Sequence, residues 1–390
     1  MSYYFIILFG IVAMFGDIIY EGARSVTGPY LYILGASALT VGFVAGFGEF
    51  SGYALRLLSG YIADSTKHYW TLTFIGYGML VAVPFLALAG SWEIAAMLFI
   101  AERMGKGIRA PAKDAILSNI TKDVGRGWGF GIHEALDQVG AILGPLIFTA
   151  AYIARGDYRG GFALLIIPFV LMMATLVLVR RKVPDTVTYE RDGGGESTAP
   201  PVRNLLPYGI FTALTMCGFV AFPIISFYFS STGTVPGAEI PLFYAVAMGV
   251  DAFAALAAGR IYDKKGLITL VALPLMIMAI PVLAFSSNYI LALASAVLWG
   301  SVMGVQETVL RAAVADYTHI SKRGTAYGLF NTIYGTSWFF GSVAIGYLYG
   351  VSFDLMLVYI LVMELLSIPV FFIAKKGLEG CYNIMPEKNA

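Results

Sequence analysis

The run FALLIIPFVLMMATLVLV, residues 162–179, decides the fold class, because a single threonine is its only polar side chain. A helix of about 20 such residues crosses the hydrocarbon core of a bilayer, so the run predicts a transmembrane helix. Over all 390 residues the chain is 58% hydrophobic and only 13% charged, about half the charged share of a typical soluble domain. These values predict a multi-pass membrane protein.

Comparable apolar runs recur along the whole chain, and together they predict an all-α polytopic membrane protein with twelve transmembrane helices. The predicted helices cover residues 4–24, 38–62, 70–90, 93–114, 127–153, 160–180, 204–230, 239–262, 267–287, 289–315, 324–349 and 353–374.

The segment 181–203 is polar, rich in Gly and Pro and without apolar periodicity, which predicts a linker. It separates two predicted six-helix bundles, at 1–180 and 204–374, and residues 375–390 form a predicted tail. Lys and Arg collect in the loops on the side of the chain termini. This asymmetry predicts that the linker, the tail and both termini are cytoplasmic, in a cell membrane. We expect a monomer, because one chain would hold a complete pathway.

The two predicted bundles carry matching sequence. GYIAD at Gly60–Asp64 aligns with GRIYD at Gly259–Asp263 when the chain is shifted by 199 residues, and MG at 104–105 aligns with MG at 303–304 at the same shift. Matches at one offset indicate an internal repeat. Parallel repeats related by an axis along the membrane normal are a known transporter design, so the bundles are predicted to be pseudo-symmetric.

Three motifs resemble signatures of the major facilitator superfamily. GYIADSTKHYW at 60–70 and GRIYDKKG at 259–266 are similar to its loop signature, and AERMGKG at 101–107 is similar to its Arg-x-x-x-Gly signature. GAILGP at 140–145 resembles the Gly-Pro element of its antiporters. The resemblance implies the fold of that superfamily and transport by alternating access. It also implies a latch at one gate, formed by the loop residues Gly60, Asp64, Gly259 and Asp263.

The fifth predicted helix carries a packing motif. Gly140 and Gly144 lie four residues apart, a spacing that lets two membrane helices approach closely. Pro145 removes one backbone hydrogen bond and permits a kink. These three residues predict a tight helix contact beside a bend.

Charged residues inside the predicted helices are the clearest pointers to a site. Each costs about 2.5–3.5 kcal/mol at a helix centre on insertion scales, so it must pair, face water or be neutralised. In the first helix Asp17, Glu21 and Arg24 lie at i, i+4 and i+7 and share one stripe. The resemblance implies that helices 1, 4, 7 and 10 line a central cavity.

Two groups of candidate site residues follow from these positions. The candidates for proton or cation coupling are Asp17, Glu21, Glu49, Glu134 and Asp137. The candidates for lining the substrate cavity are Arg24, Arg103, Lys106, Arg109, His133, Glu307, Arg311 and Asn331. Two interpretations of the first-helix stripe stay open: a carrier site facing a watery path, or a static ion-pair network with the fifth helix or with Arg103.

The leading hypothesis for function is proton-coupled export of a small organic molecule. Alternatives are uptake of an anionic solute by the buried bases, and export of a divalent metal cation. Weak candidate metal ligands are Asp17, Glu21, His133, Glu134 and Asp137.

Other classes of function receive little support from the sequence. A membrane receptor or scaffold would normally bring a soluble domain, and an intramembrane enzyme would need a nucleophile and a base, so we expect no enzyme. No Gly-x-x-x-x-Gly-Lys-Ser/Thr loop occurs, so no nucleotide or other cofactor is expected. The net charge of +1 offers no basic face to nucleic acid.

Overall fold

A computed structural model describes residues 2–120, 126–182, 206–318 and 323–382 of the chain. This part is built of helices and the short connections between them. The predicted linker lies outside the described residues from position 183 onward, and so does the end of the predicted tail from position 383.

Twelve transmembrane helices, α1 to α12, follow one another along the described chain, and some of them are interrupted. In order they are α1 Ser2–Ile33, α2 Ala38–Thr66, α3 Tyr69–Leu88, α4 Trp92–Ile120, α5 Arg126–Arg155, α6 Arg159–Lys182, α7 Leu206–Thr232, α8 Ile240–Lys265, α9 Ala272–Ala284, α10 Tyr289–Asp316, α11 Arg323–Val351 and α12 Phe353–Tyr382.

Two helices run further than the sequence predicts. Helix α1 continues to Ile33 although its prediction ended at residue 24. Arg24 lies inside the helix because its charge is balanced by carboxylates, and Pro29 does not end the helix, since a single proline removes only one backbone hydrogen bond. Helix α12 continues to Tyr382, through the first part of the predicted tail.

Several helices have irregular segments that the sequence patterns did not predict: α6 is interrupted at Leu165, and a 3₁₀ segment, Gly266–Val271, leads into α9. Helix α3 contains 3₁₀ turns at Met79–Val81 and Leu86–Leu88, on either side of Pro84. Helix α7 is unwound at residues 219–221, between the helices Leu206–Gly218 and Phe222–Thr232.

Helix α10 contains a π-helical turn at Gln306–Leu310. Such turns are frequent at functional sites, and this one carries Glu307 at the point where α10 reaches the centre of the molecule.

The helices form two six-helix bundles, α1–α6 and α7–α12, which we call the N half and the C half. Within the N half, α1 packs along α5, with Gly140 against the Met14 carbonyl and Gly144 against the Ile18 carbonyl and Gly22. Pro145 lies inside α5 without ending it. Between the halves, α2 packs along α11, α1 against the second part of α7, and α5 against α8.

The two ends of the molecule differ. We call the end where α1 begins and α12 ends the terminal end, and the opposite one the distal end. At the distal end the halves touch through backbone: a Cβ on Gly28 of α1 would collide with the Pro223 carbonyl of α7, and a Cβ on Gly42 of α2 would collide with the Ser342 carbonyl of α11. The Tyr158 hydroxyl also donates to the Gly237 carbonyl, at 2.7 Å. The distal end is therefore closed.

Candidate functional site

A cavity of about 380 Å³ lies between the two halves, on the terminal side of these contacts. Its wall is dominated by charged side chains of both signs. Its charged lining residues are Asp17, Glu21, Arg24, Arg56, Lys106, Arg109, Lys113, Asp114, Glu134, Asp137, Asp251, Glu307 and Arg311, together with His133. Glu134, Glu307 and Arg311 are exposed, so the cavity communicates with solvent.

Helix α1 presents one stripe to this cavity. Asp17, Tyr20, Glu21 and Arg24 recur with the period of an α-helix and all line the cavity, while the intervening Ile19 is fully buried in the core. The close approach of α5 through Gly140, which lies against the Cβ of Asp17, holds the stripe beside the charged face of α5.

An ion-pair network occupies the distal end of the stripe, centred on Glu49 of α2. Its Oε1 lies 3.3 Å from Arg24 Nη2 and 3.2 Å from Arg103 Nη1. Arg103 Nε also lies 3.4 Å from Glu102 Oε2, and Arg24 Nη1 lies 3.8 Å from Glu21 Oε1. These five buried or half-buried side chains link α1, α2 and α4, so each guanidinium has carboxylates on two sides.

Two tyrosines extend this network. The Tyr20 hydroxyl accepts from Lys106 and from Arg24, and its ring lies 4.5 Å from the Arg103 guanidinium and 3.8 Å from the Lys106 ammonium. Such cation–π contacts stabilise desolvated cations. Tyr244 of α8 donates to Glu21 Oε2, which ties the network to the C half.

Asp17 lies outside this network. It is half-buried, lines the cavity, and forms no ion pair within 4.0 Å with any other described residue. Towards the terminal end, the nearest charged pair on α5 is His133 Nδ1 with Asp137 Oδ2, at 3.3 Å. The two ends of the stripe therefore differ. Glu21 and Arg24 form ion pairs, whereas the Asp17 carboxyl group faces the cavity.

Two buried guanidinium groups in the cavity wall have donors to spare. Arg109 is 5% exposed, its guanidinium lies 4.9 Å from the Tyr77 ring, and its Nη1 has no hydrogen-bond partner among the described residues. Arg56 lies 4.9 Å from the Tyr53 ring, and its Nε likewise lacks a partner in the described chain. Arginine forms strong paired hydrogen bonds to carboxylate and phosphate, so both groups suit an anionic ligand.

The C half contributes fewer charges. Asp251 of α8 is 5% exposed, and its Oδ1 finds no hydrogen-bond partner in the part of the chain that the structure describes. Glu307 and Arg311 reach the cavity from the π turn of α10 and the residue after it. Helix α7 adds no described residue to the cavity lining, in contrast to the expectation for helix 7, because its distal part packs directly on α1.

Some predicted residues lie away from the cavity. Arg103 lines a separate chamber of about 30 Å³ distal to the cavity, with Arg24, Glu49 and Trp338. Asn331 is half-buried on α11 and does not line the cavity, because only some faces of α11 turn inwards.

The four residues of the predicted latch lie at the terminal end, in the last turns of α2 and α8 and not in loops as predicted. Asp64 and Asp263 are exposed, and the Tyr69 hydroxyl donates to Asp64 at 3.5 Å. Gly60 lies 3.7 Å from Pro111 and Gly259 lies 3.6 Å from Thr308, both measured from an ideal Cβ. These glycines bring α2 close to α4 and α8 close to α10.

The candidate metal ligands do not converge. All five lie in described segments, yet no three His, Cys, Asp or Glu side chains of those segments come together as a group able to hold a metal ion. His133 pairs with Asp137 alone and Glu21 with Arg24. The described residues therefore offer no preformed cluster of metal ligands.

The predictions omitted several residues that the structure brings into the site. Tyr20 lies four residues before Arg24 on the predicted stripe, and Arg56 lies two helical turns after Glu49, so helical spacing was an available signal for both. Asp251 and Lys113 are charges within predicted helices, so the same rule already marked them as groups that must pair or face water. Tyr244 had no signal in the sequence, because its partner Glu21 lies in the other half.

A comparison with known families identifies the class of protein. The model of the Major Facilitator Superfamily matches residues 7–342. The chain belongs to the major facilitator superfamily, whose fold and members are those of transporters rather than enzymes.

Individual proteins agree with this assignment. The chain is 40% identical over 377 residues to an uncharacterized protein of Mycobacterium tuberculosis, covering 94% of this chain and 92% of the relative. It is 26% identical to an uncharacterized MFS-type transporter of Methanocaldococcus jannaschii, covering 92% of both chains. Its fold resembles the inward-facing crystal structure of a bacterial homolog of the human lysosomal transporter Spinster, with a TM-score of 0.75 and 12% identity over 97% of this chain and 98% of that one. The protein is thus a multi-pass membrane transporter.

Proposed function

We propose that this transporter exports a small organic solute carrying a carboxylate or phosphate group, in exchange for protons, across the cell membrane. The observation that carries the proposal is the composition of the cavity wall: it contains Asp17, an acid with no ion-pair partner among the described residues, and two arginines with unpaired donors, the buried Arg109 and the half-buried Arg56. Cavity residues come from both halves of one chain, which supports a monomer as the working unit.

The substrate class follows from the character of the cavity wall. A wall so rich in charge favours a polar solute over an amphipathic one. A carboxylate or phosphate between Arg109 and Arg56 would receive the donors that these side chains leave unused. A volume of about 380 Å³ lies at the lower end of small-molecule sites, so the solute is small.

The proton is assigned to Asp17. A carboxyl group that faces a cavity without an ion-pair partner changes the charge of the cavity when it binds a proton, whereas Glu49 is held by two guanidinium groups. In the exchange, Asp17 would take up its proton from the distal side. Release of that proton on the terminal side completes the exchange.

Direction and orientation rest on sequence. The excess of Lys and Arg in the terminal-side loops supports cytoplasmic termini, and the cavity would then open to the cytoplasm. The GAILGP element supports exchange rather than co-transport. Uptake of an anionic solute is a second candidate, favoured by the same Arg109, because an arginine site holds its ligand from either side.

The test uses purified protein in liposomes that contain a pH-sensitive dye, under an imposed proton gradient. Organic anions, organic cations and Mn²⁺ are added in turn to the wild type, Asp17→Asn, Arg109→Lys and the exposed-site control Asp354→Asn. We expect an organic anion alone to trigger proton movement. Asp17→Asn should abolish proton movement, and Arg109→Lys should raise KM about tenfold with little change of kcat, the loss expected for one hydrogen bond to a charged ligand.

Each contrary outcome has a clear meaning. Proton movement driven by a cation or by Mn²⁺ would refute the substrate class. Equal proton flux with and without Asp17 would reject Asp17 as the carrier. Proton flow in the same direction as the solute would replace export by uptake.

A further inference from the structure

Glu364 of α12 is a buried acid far from the cavity lining. Its exposed fraction is 0%, and it lies in the middle of a strongly apolar helix. Neither of its carboxylate oxygens has a hydrogen-bond partner in the described chain. A charged carboxylate in such surroundings is very unfavourable without a partner, so this side chain needs an explanation.

The carboxyl group of Glu364 lies against the point where α7 unwinds. A Cβ added to Gly218, the last residue before the unwound segment, would collide with Glu364 Oε1 and lie 3.1 Å from its Cδ. Only a glycine leaves room for this approach. On another side of the segment, Trp299 Nε1 donates to the Val220 carbonyl at 3.0 Å. The unwound backbone is thus held between an indole and a carboxyl group.

Few titratable groups face this carboxyl group. Cys217 of α7 and Tyr359 of α12 lie near it, and the Cys217 thiol itself donates to the Ser337 carbonyl of α11 at 3.5 Å. Helix α9 has no titratable residue, and α11 presents none to Glu364. Among the described residues no base therefore balances a negative charge on Glu364.

The same unwound segment also touches the ion-pair network. Ala221, its last residue, and Pro223 line the small chamber that contains Arg24 and Glu49. A change in α7 that separates the halves at Gly28 and Pro223 must move this segment, because Pro223 lies only two residues beyond it. Motion there also changes the surroundings of Glu364.

We propose that Glu364 is a second proton-binding site of this protein, placed behind the break in α7 and separate from the cavity. Its carboxyl group carries a proton while the distal end is closed. When the halves separate at that end and α7 shifts, water reaches the group, which gives its proton to that water and becomes a carboxylate, and it takes a proton back from the same side before that end closes again. The binding of the proton is independent of the proposed function, whereas its release rests on the proposed transport cycle.

The first test is infrared spectroscopy of the purified protein, which needs no substrate. A protonated carboxylic acid absorbs on the high-frequency side of the amide I band, apart from ionised carboxylates. We expect such a band at neutral pH in the wild type and in the exposed-site control Asp354→Asn, and its loss in Glu364→Gln. Absence of a Glu364-dependent band would overturn the proposal, because the group would then be ionised.

Stability provides a second measurement. Glu364→Gln keeps the shape of a neutral carboxyl group, so we expect it to fold with a Tm close to the wild type, whereas Glu364→Ala leaves a void and should lower it. Failure of Glu364→Gln to fold would contradict a neutral carboxyl group at this position.

Transport measurements separate this site from the cavity. In the liposome assay, Glu364→Gln should bind substrate with unchanged affinity and keep the proton-to-substrate ratio of the wild type, while its transport rate depends less on the pH of the distal side; Asp17→Asn should abolish proton movement. A transport rate that depends on the distal pH equally in Glu364→Gln and in the wild type would show that the Glu364 proton is not released during transport. If no solute drives proton movement in the wild type, the proposed function fails while the infrared result still decides whether Glu364 holds a proton.

Discussion

The N half and the C half carry matching sequence motifs, yet the side chains in their interiors differ. Adding 199 to the numbers of the ion-pair network gives uncharged residues at every position: Glu21 becomes Val220, Arg24 becomes Pro223, Glu49 becomes Met248, Glu102 becomes Ser301 and Arg103 becomes Val302. Where the N half has carboxylates and guanidinium groups, the C half stacks the rings of Phe219, Phe222, Tyr244 and Trp299.

This difference indicates that each half has its own structural role. Ion pairs among α1, α2 and α4 fix three helices of the N half to one another, so that this half carries charge in the membrane interior. Aromatic rings pack without charge and tolerate the unwound segment of α7. The N half therefore provides the electrostatics of the site, and the C half provides the helix that can bend.

The largest expected effect comes from removing a carboxylate from the ion-pair network of the N half. Glu49→Ala leaves Arg24 and Arg103 buried without their shared carboxylate, and removal of one partner of a buried pair costs about 3–5 kcal/mol. We expect a much lower Tm and poor recovery of folded protein in detergent. Glu307→Gln, at an exposed acid of the C half, is the control and should leave the Tm unchanged. A Glu49→Ala protein as stable as the control would mean that the network contributes no stability.

A second substitution tests the backbone contact between the halves at the distal end. In Gly28→Val the new side chain would overlap the Pro223 carbonyl and approach Phe227 N, and overpacking of this kind costs about 1–3 kcal/mol. We expect the halves to separate at the distal end, seen as a longer distance between spin labels at Ile33→Cys and Thr232→Cys. Gly249→Val is the control, since a Cβ there meets no atom within 4 Å. Identical label distances in both variants would refute the role of Gly28 in closure.

The smallest expected effect on stability comes from a substitution among the aromatic residues of the C half. Trp299→Phe removes the donor to the Val220 carbonyl and leaves that buried oxygen unsatisfied, at a cost of about 1–3 kcal/mol. Trp338→Phe is the matched control, because the Trp338 Nε1 has no hydrogen-bond partner among described residues. The thermal unfolding of the two variants should differ by several degrees. If both lose equal stability, ring volume rather than the hydrogen bond supports the break in α7.

Most of the fold could be predicted from the sequence. Apolar runs located twelve helices because the length of a membrane span is set by the bilayer, and the offset of 199 residues revealed the two halves. Helix ends were less predictable, since Glu49, which pairs with Arg24 and lets α1 continue, lies in another helix. The break in α7 did have a signal, Gly218 followed five residues later by Pro223, that a search for apolar runs overlooks.

The site was predictable only within single helices. Helical spacing placed Asp17, Glu21 and Arg24 on one stripe, but the meeting of Arg24 with Glu49 and Arg103 depends on how three helices rotate and pack. Glu364 lay in an apolar run and attracted no notice, although its burial makes it as unusual as any charge in the cavity. Which charges pair is a tertiary property that spacing along one helix does not contain.

The closure of the distal end by backbone has a consequence for how sequence can vary. At Gly28 and Gly42 a peptide unit of the facing helix occupies the space that any side chain would need, so no compensating change of a neighbouring side chain can make room. In a library of all single substitutions, selected for transport, these two positions should accept glycine alone. Charged cavity positions such as Glu134, by contrast, should accept several residues. The most restricted part of the protein would then be a surface that has no side chains.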